Sequence, residues 1–432
     1  MGSQLPSRRG ERLRSLSLAG LALAAACSAP LELPKLDEVT PYAHPMDLPA
    51  VEGLPELLTL STGETVRTQR DWQSARRPEI ARTVEHYVYG AAPEPPAEVR
   101  AVRMEECMTE DGKAWREQVR LHVADGVWID LLIYSPVGVK SAPCFLGLNF
   151  NGNHATTQDP KVMLTESWMA DSRGGRDGAA NDEQRGMKAE RWDYSQALSK
   201  GWAVATFYHG DIDPDAWVTE DGVRAPRSKS LSTSEHSWGT IRAWAWGLSR
   251  ALDHLIENPR IDGDRVVVHG HSRNGKTALV AGAYDERFAG VISNHSGCGG
   301  AALSRPARGE TVERIVTTLG YWFTDAFWSF ADREEHLPLD QHFLLALIAP
   351  RPLLVCSAIE DDWADPLGEF EATRAAAPAW ELFGVSGFES AGFPKTGELV
   401  GVLPAYHVRE GGHSVLSEDW TLWLSWADRL VR

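Results

Sequence analysis

The chain has 432 residues, with 60 acidic and 43 basic side chains and a formal charge of −17. That acidity excludes nucleic acid and anionic membrane surfaces as partners, because both reward clustered Lys and Arg. Five cysteines with no C-x-x-C spacing exclude a disulfide scaffold and a thiolate metal site, while 17 Trp supply flat amphipathic surface for a core or for stacking on sugar and aromatic rings.

Residues 1–27 read as an export signal. Arg8, Arg9, Arg12 and Arg14 precede an apolar run at 16–26, too short to span a membrane. Ala24, Ala25 and Ala26 then lead into Cys27, as at a lipoprotein cleavage site, with Cys27 the residue that would carry lipid. Ala24 stands where such sites usually have Leu, so ordinary signal cleavage stays open. Ser7-Arg8-Arg9 resembles a twin-Arg signal only faintly. The expected locations are the periplasm, the outer membrane as a lipoprotein, or the medium. Residues 28–56 carry Pro30, Pro34, Pro41, Pro45, Pro49 and Pro55, which prevent a helix and suggest a tether or a strap on the domain. Residues 57–432 show neither repeat nor linker and are expected to form one catalytic-size domain.

Within that domain, apolar runs at 127–137, 144–150 and 202–208 predict strands, and 238–257 has the apolar spacing of a long helix. Further strands are expected at 265–269, 290–293, 351–357 and 406–409, with a closing helix at 420–430. Strands without alternation, separated by helices, indicate a mainly parallel sheet covered on both faces. The stretches 151–200 and 298–345 fit neither element; loops of that length are usually functional.

The segment VVVHGHSRNGK at 266–276 carries the chemistry. A β-branched strand ends at Gly270, Ser272 follows, and a helix begins. This is the setting of a nucleophile elbow, in which Ser is held out at the top of a sheet. The N–H of Arg273 then faces a developing oxyanion. The departure from the usual pattern is Asn274, with the Gly one place later at 275. The base expected after such a Ser is His413, in Gly411-Gly412-His413; His407 lies inside a strand. Acids beyond a strand's C-terminal end are candidates for the third member: Glu360, Asp361, Asp362 and Asp365. An ordinary acidic loop is the other reading of that cluster.

Ser-Arg-Asn-Gly-Lys at 272–276 resembles the signature of the glucuronoyl esterases, carbohydrate esterase family 15. The resemblance continues through Arg77–Ile80, Tyr87–Gly90, Leu148–His154, Tyr208–Asp215, Ser296–Gly300, Asp340–His342, Ala349–Pro352, Trp363–Pro366 and Gly412-His413, in the manner of the bacterial branch. It implies an α/β-hydrolase, a three-layer αβα sandwich with a mostly parallel sheet. It implies hydrolysis of the ester between (4-O-methyl-)glucuronic acid of glucuronoxylan and a lignin alcohol, or of small uronate esters. By resemblance Ser272 is the nucleophile, His413 the base, Arg273 the oxyanion stabiliser, and Lys276, Glu310 and Trp363 line the sugar pocket. Fungal members place a Glu where this chain has His295, so the acid is expected from the later loop, with Asp361 preferred over Asp362 and Glu360. The Cys before the fungal nucleophile is His271 here, so a disulfide through that position is excluded. No metal or cofactor is expected, and the chain is expected to act as a monomer. Alternatives are an acetylxylan or other carbohydrate esterase on the same fold, and an inactive surface lipoprotein that binds polysaccharide.

Overall fold

A computed structural model describes residues 42–217, 238–388 and 392–431. The expected export signal, Cys27 and the first part of the Pro-rich segment lie outside the described residues. The rest of that segment lies on the protein: Val51 donates its N–H to the Glu335 carbonyl at 2.8 Å, and Tyr42 stacks on His86 at 4.4 Å.

Ten strands form one sheet: β1 (Arg100–Met108), β2 (Ala114–Ala124), β3 (Val127–Pro136), β4 (Ala142–Asn149), β5 (Ala203–Tyr208), β6 (Ile261–His271), β7 (Gly290–Asn294), β8 (Leu353–Ala358), β9 (Leu399–Gly401) and β10 (Ala405–Arg409). Their order is β1-β2-β3-β5-β4-β6-β7-β8-β10-β9. The block from β5 to β10 is parallel; β1, β2, β3 and β9 pair antiparallel at the two edges. Every predicted strand is present with ends shifted by a few residues. The hairpin β1–β2 and the edge strand β9 are additions that the apolar pattern did not carry.

Successive residues of a strand face opposite sides, and β6 uses both. Val266 and Val268 enter the larger apolar cluster with helices Thr240–Glu257 and Arg273–Tyr284. Val267 enters the smaller cluster, with Trp420, Trp423 and Trp426 of helix Ser417–Leu430. Burying each such side chain contributes roughly 1.5–3 kcal/mol, so a strand apolar on both faces belongs at the centre, where β6 lies between β4 and β7. The arrangement is the three-layer α/β-hydrolase fold. Ten of the 17 Trp are buried and only Trp168, Trp217, Trp328 and Trp363 are exposed, so most of the Trp excess is core. The stretch 298–345 is built from short helices, among them Val312–Leu319 and Gln341–Ala346. The four described cysteines are unpaired. Among the described residues no helix is long and apolar enough to cross a membrane.

Candidate active site

The chain leaves β6 at His271 and turns into helix Arg273–Tyr284 through a single residue, Ser272, with φ 59° and ψ −130°. Such a conformation costs a non-glycine residue about 1–3 kcal/mol. The surroundings hold it: the Ser272 N–H donates to the Asn294 carbonyl at 2.9 Å, and its own carbonyl accepts from Gly275 at 2.8 Å. Gly270 is required by space, since a Cβ there would sit 1.9 Å from the Asn274 carbonyl oxygen. Asn274 has a reason to differ from the usual Gly. Its amide donates to the Leu148 carbonyl at 3.1 Å and its oxygen meets His209 Nδ1 at 3.2 Å, tying the elbow to β4. Gly275 instead takes the tight place, where a Cβ would lie 3.1 Å from the Gly270 and Asn294 carbonyl oxygens.

His413 and Asp361 come together from loops beyond β10 and β8, at the same C-terminal edge of the sheet. His413 Nδ1 is 2.6 Å from Asp361 Oδ2. This leaves Nε2 as the atom available to a nucleophile. The His413 ring lies 4.4 Å from that of His271, the residue before Ser272. Asp361 is buried, whereas Glu360 and Asp362 are exposed. Asp365 caps helix Pro366–Ala376, accepting the Gly368 N–H at 2.8 Å. His295, beyond β7, also contacts Asp361 Oδ2, at 2.8 Å. Burial alone would raise the Asp361 carboxyl, but hydrogen bonds from His295 and His413 outweigh it and hold the group well below the usual carboxylate range. Among the described residues, His295, Asp361 and His413 are the group close enough to share a cation, with ligating atoms within 4.8 Å. Two ligands on one tetrahedral zinc, at bonds of about 2.0–2.1 Å, stand roughly 3.3 Å apart; the observed contacts are shorter and are hydrogen bonds.

Arg273 opens the helix after the elbow, where the first N–H groups have no intrahelical acceptor. Its guanidinium lies 4.6 Å above the Trp322 ring and pairs with Asp215. Asp215 also accepts from Tyr321 Oη at 2.8 Å and Trp322 Nε1 at 2.9 Å. Burial opposes its charge, but Arg273 and these donors keep its carboxyl well below the ordinary range. Lys276 is buried, donates to the Ser296 carbonyl, and lies 6.0 Å from the centre of the Trp322 ring. Burial pushes its ammonium down, opposed by Glu310. Burial pushes the half-buried Glu310 up, opposed by Lys276. The Glu310 N–H donates to the Trp363 carbonyl at 3.0 Å, and Trp363 is 55% exposed. Arg273, Lys276, Glu310 and Trp363 are therefore linked directly or through Trp322. Asp215, Tyr321 and Trp322 complete the group; sequence reasoning had given none of them a role. The one available signal was Asp215 lying beyond the C-terminal end of β5.

The sheet order and the elbow define the class, an α/β-hydrolase. The sequence family described as fungal glucuronyl esterase matches residues 191–384. A carbohydrate esterase from an unknown prokaryotic organism is 43% identical over 383 residues, 87% of this chain and 89% of the relative. A 4-O-methyl-glucuronoyl methylesterase of Hypocrea jecorina is 40% identical over 165 residues, 36% of each chain. Among solved structures, a promiscuous family 15 esterase from a marine bacterial metagenome superposes with a TM-score of 0.82 at 42% identity, covering 89% of this chain and 98% of the other. The glucuronoyl esterase of Solibacter usitatus gives 0.81 at 38% identity, covering 89% and 99%. The chain belongs to carbohydrate esterase family 15, the glucuronoyl esterases, and is a carboxylic ester hydrolase.

Proposed function

We propose that the protein hydrolyses the ester between (4-O-methyl-)glucuronic acid of glucuronoxylan and a lignin alcohol, through an acyl-enzyme on Ser272. The 2.6 Å contact between Asp361 and His413, beside a strained serine elbow, carries this reading. His413 takes the Ser272 proton as Oγ attacks the uronate carbonyl. Asp361 fixes the His413 tautomer with the proton on Nδ1 and stabilises the imidazolium that forms. The Arg273 N–H and guanidinium hold the oxyanion; a charged donor makes a hydrogen bond roughly twice as strong as a neutral one. The alcohol leaves with the proton from His413, and water, activated by the same residue, cleaves the acyl-enzyme. Lys276 and Glu310 form the floor of the sugar site, and Trp363 offers an exposed ring for stacking.

The test is turnover of benzyl glucuronate against release of acetate from acetylated xylan. The reading expects the uronate ester to be preferred and Ser272→Ala to lose at least about 10⁴-fold in kcat. Preference for the acetyl ester makes the protein an acetylxylan-type esterase, an outcome kept in view by the promiscuity of the marine relative. Binding of xylan with no ester turnover makes it a carbohydrate-binding lipoprotein.

Residues 57–432 form the catalytic domain in this reading, acting as a monomer. The basic and apolar pattern of 1–27 supports export, and Cys27, its last residue, is the proposed lipid attachment point. Expression of the full chain in a bacterium is expected to place it in the membrane fraction, and Cys27→Ser to release it. A soluble wild-type product would mean ordinary signal cleavage.

A further inference from the structure

His295 is a second imidazole on the triad carboxylate, and its surroundings fix its chemistry. Its backbone lies in the left-handed region, φ 50°, and its N–H donates to the carbonyl of Cys356, within β8, at 2.8 Å. The side chain is fully buried. Nδ1 faces Asp361 Oδ2 at 2.8 Å, and Nε2 faces Arg409 Nη2 at 3.3 Å. A guanidinium only donates. Nε2 must therefore accept, which leaves the ring proton on Nδ1, directed at Asp361. Burial pushes the ring toward its neutral form, opposed by the hydrogen bond to Asp361 and aided by the Arg409 charge.

Arg409 is itself fixed. Its Nε contacts both Asp419 carboxylate oxygens, at 3.0 and 3.2 Å. Its Nη2 also donates to the Ser414 carbonyl at 2.8 Å and the Gly412 carbonyl at 3.3 Å, on either side of His413. One guanidinium thus sets both ends of the pair: the acid through His295, and the base through the backbone around it. With Nε2 engaged, His295 has no atom for Ser272, so of the two imidazoles on Asp361 it is His413 that can serve as base.

We propose that His295 is a positioning residue: as a neutral Nδ1–H donor anchored by Arg409, it holds the Asp361 carboxylate in the orientation that His413 needs. The proposal rests on the esterase reading of Ser272, Asp361 and His413. The charged and titratable groups that face this pair are Arg409 from β10, His413 from the following loop, His271 from β6 at 5.3 Å between rings, and Glu369 from helix Pro366–Ala376. Removing the His295 donor raises the Asp361 carboxyl toward its ordinary range. The carboxylate also loses the contact that orients it toward His413, so kcat falls while substrate binding is kept.

Wild type, His295→Leu, His295→Gln, Asp361→Ala and the His295→Leu/Asp361→Ala pair are compared on p-nitrophenyl acetate and benzyl glucuronate at neutral pH. His295→Leu is expected to lower kcat about 10–100-fold, the usual scale for groups that orient a functional ligand, with KM within about twofold. Gln can donate to Asp361 and accept from Arg409, so His295→Gln is expected to recover to within about fivefold. In the Asp361→Ala background the Leu substitution is expected to cost less than about twofold, as for residues acting as a unit. Additive losses, or equal loss in Gln and Leu, would overturn the proposal. If Leu prevents folding, His295→Phe, which fills the space of the ring without a donor, carries the same expectations. Wild type active on the acetate but not on the uronate ester would refute the substrate reading while the cycle on acetate still decides His295. Wild type inactive on both would refute both.

Discussion

Asp361 differs from its acidic neighbours in one physical respect: it is buried among donors, while Glu360 and Asp362 are solvated. A triad acid works by fixing a tautomer and stabilising an imidazolium, which demands a hydrogen bond rather than mere nearness. Asp361→Ala is therefore expected to lower kcat about 10³–10⁴-fold, and Asp362→Ala and Glu360→Ala less than about threefold, in steady-state assays on a uronate ester. A large loss in either neighbour instead would move the acid role to it. Arg273 has a similar dependence. Its guanidinium is held over Trp322 by Asp215, whose carboxylate also gathers Tyr321 and Trp322. Asp215→Asn keeps the shape and removes the charge that anchors Arg273. Lost oxyanion donors typically cost about 10²–10³-fold in kcat, and a loosened one should cost less, about 10–100-fold, with the fold intact by circular dichroism. An unchanged kcat would mean that the Arg273 side chain takes no part.

The elements explain what could be seen in advance. β6 and the helix after it were legible because their information is local: a β-branched run, a Gly at a position with no room for a Cβ, then a helical pattern. Gly270→Ala is expected to lower stability by more than about 3 kcal/mol, or to prevent folding, because its Cβ would meet backbone at 1.9 Å. Gly275→Ala, where the contact would be 3.1 Å, is expected to cost less. Urea unfolding followed by Trp fluorescence checks both, and equal costs would mean that the elbow relaxes freely. The first half of β2 buries paired charge, which hides it from an apolar pattern: Arg116 lies against Glu105, and Glu117 against Arg260 at 3.3 Å, before the alternation Val119, Leu121, Val123 begins. β1 was missed because it is an edge strand exposed along much of its length. At the site, Ser272 and His413 stand beside glycines in short motifs and could be singled out. Asp215, Trp322 and Arg409 act through partners 58, 49 and 114 residues away, Arg273 for the first two and His295 for the third, and sequence spacing does not encode such contacts.

At the scale of the whole molecule, one buried group joins several elements under the site. Glu369, in helix Pro366–Ala376, accepts from Ser296 Oγ at 3.1 Å and the Gly297 N–H at 2.9 Å, just beyond β7, and from the Ser357 hydroxyl in β8. Burial pushes its carboxyl up to about 7, against these donors, from an ordinary 4.5. The folded state thus binds the proton more tightly than the unfolded chain does. The stability this proton contributes is fully present below about pH 4.5 and is lost as pH rises through about 7. A rise from 4.5 to about 7 corresponds to roughly 3 kcal/mol at most. Asp211 is raised to about 7 by burial as well, so the wild-type slope has more than one source. Asp361 and Asp215, both depressed, contribute stability that is lost only at acid pH, outside this window. Glu369→Gln keeps the side chain's size and its hydrogen-bonding capacity without the titration, and so isolates one term. Stability from urea unfolding at pH 5 and pH 8 is expected to fall by about 1–3 kcal/mol more in wild type than in Glu369→Gln. Parallel pH dependence in the two proteins would mean that Glu369 is ionised throughout, its charge held by the serine hydroxyls, the Gly297 N–H and the nearby Lys276.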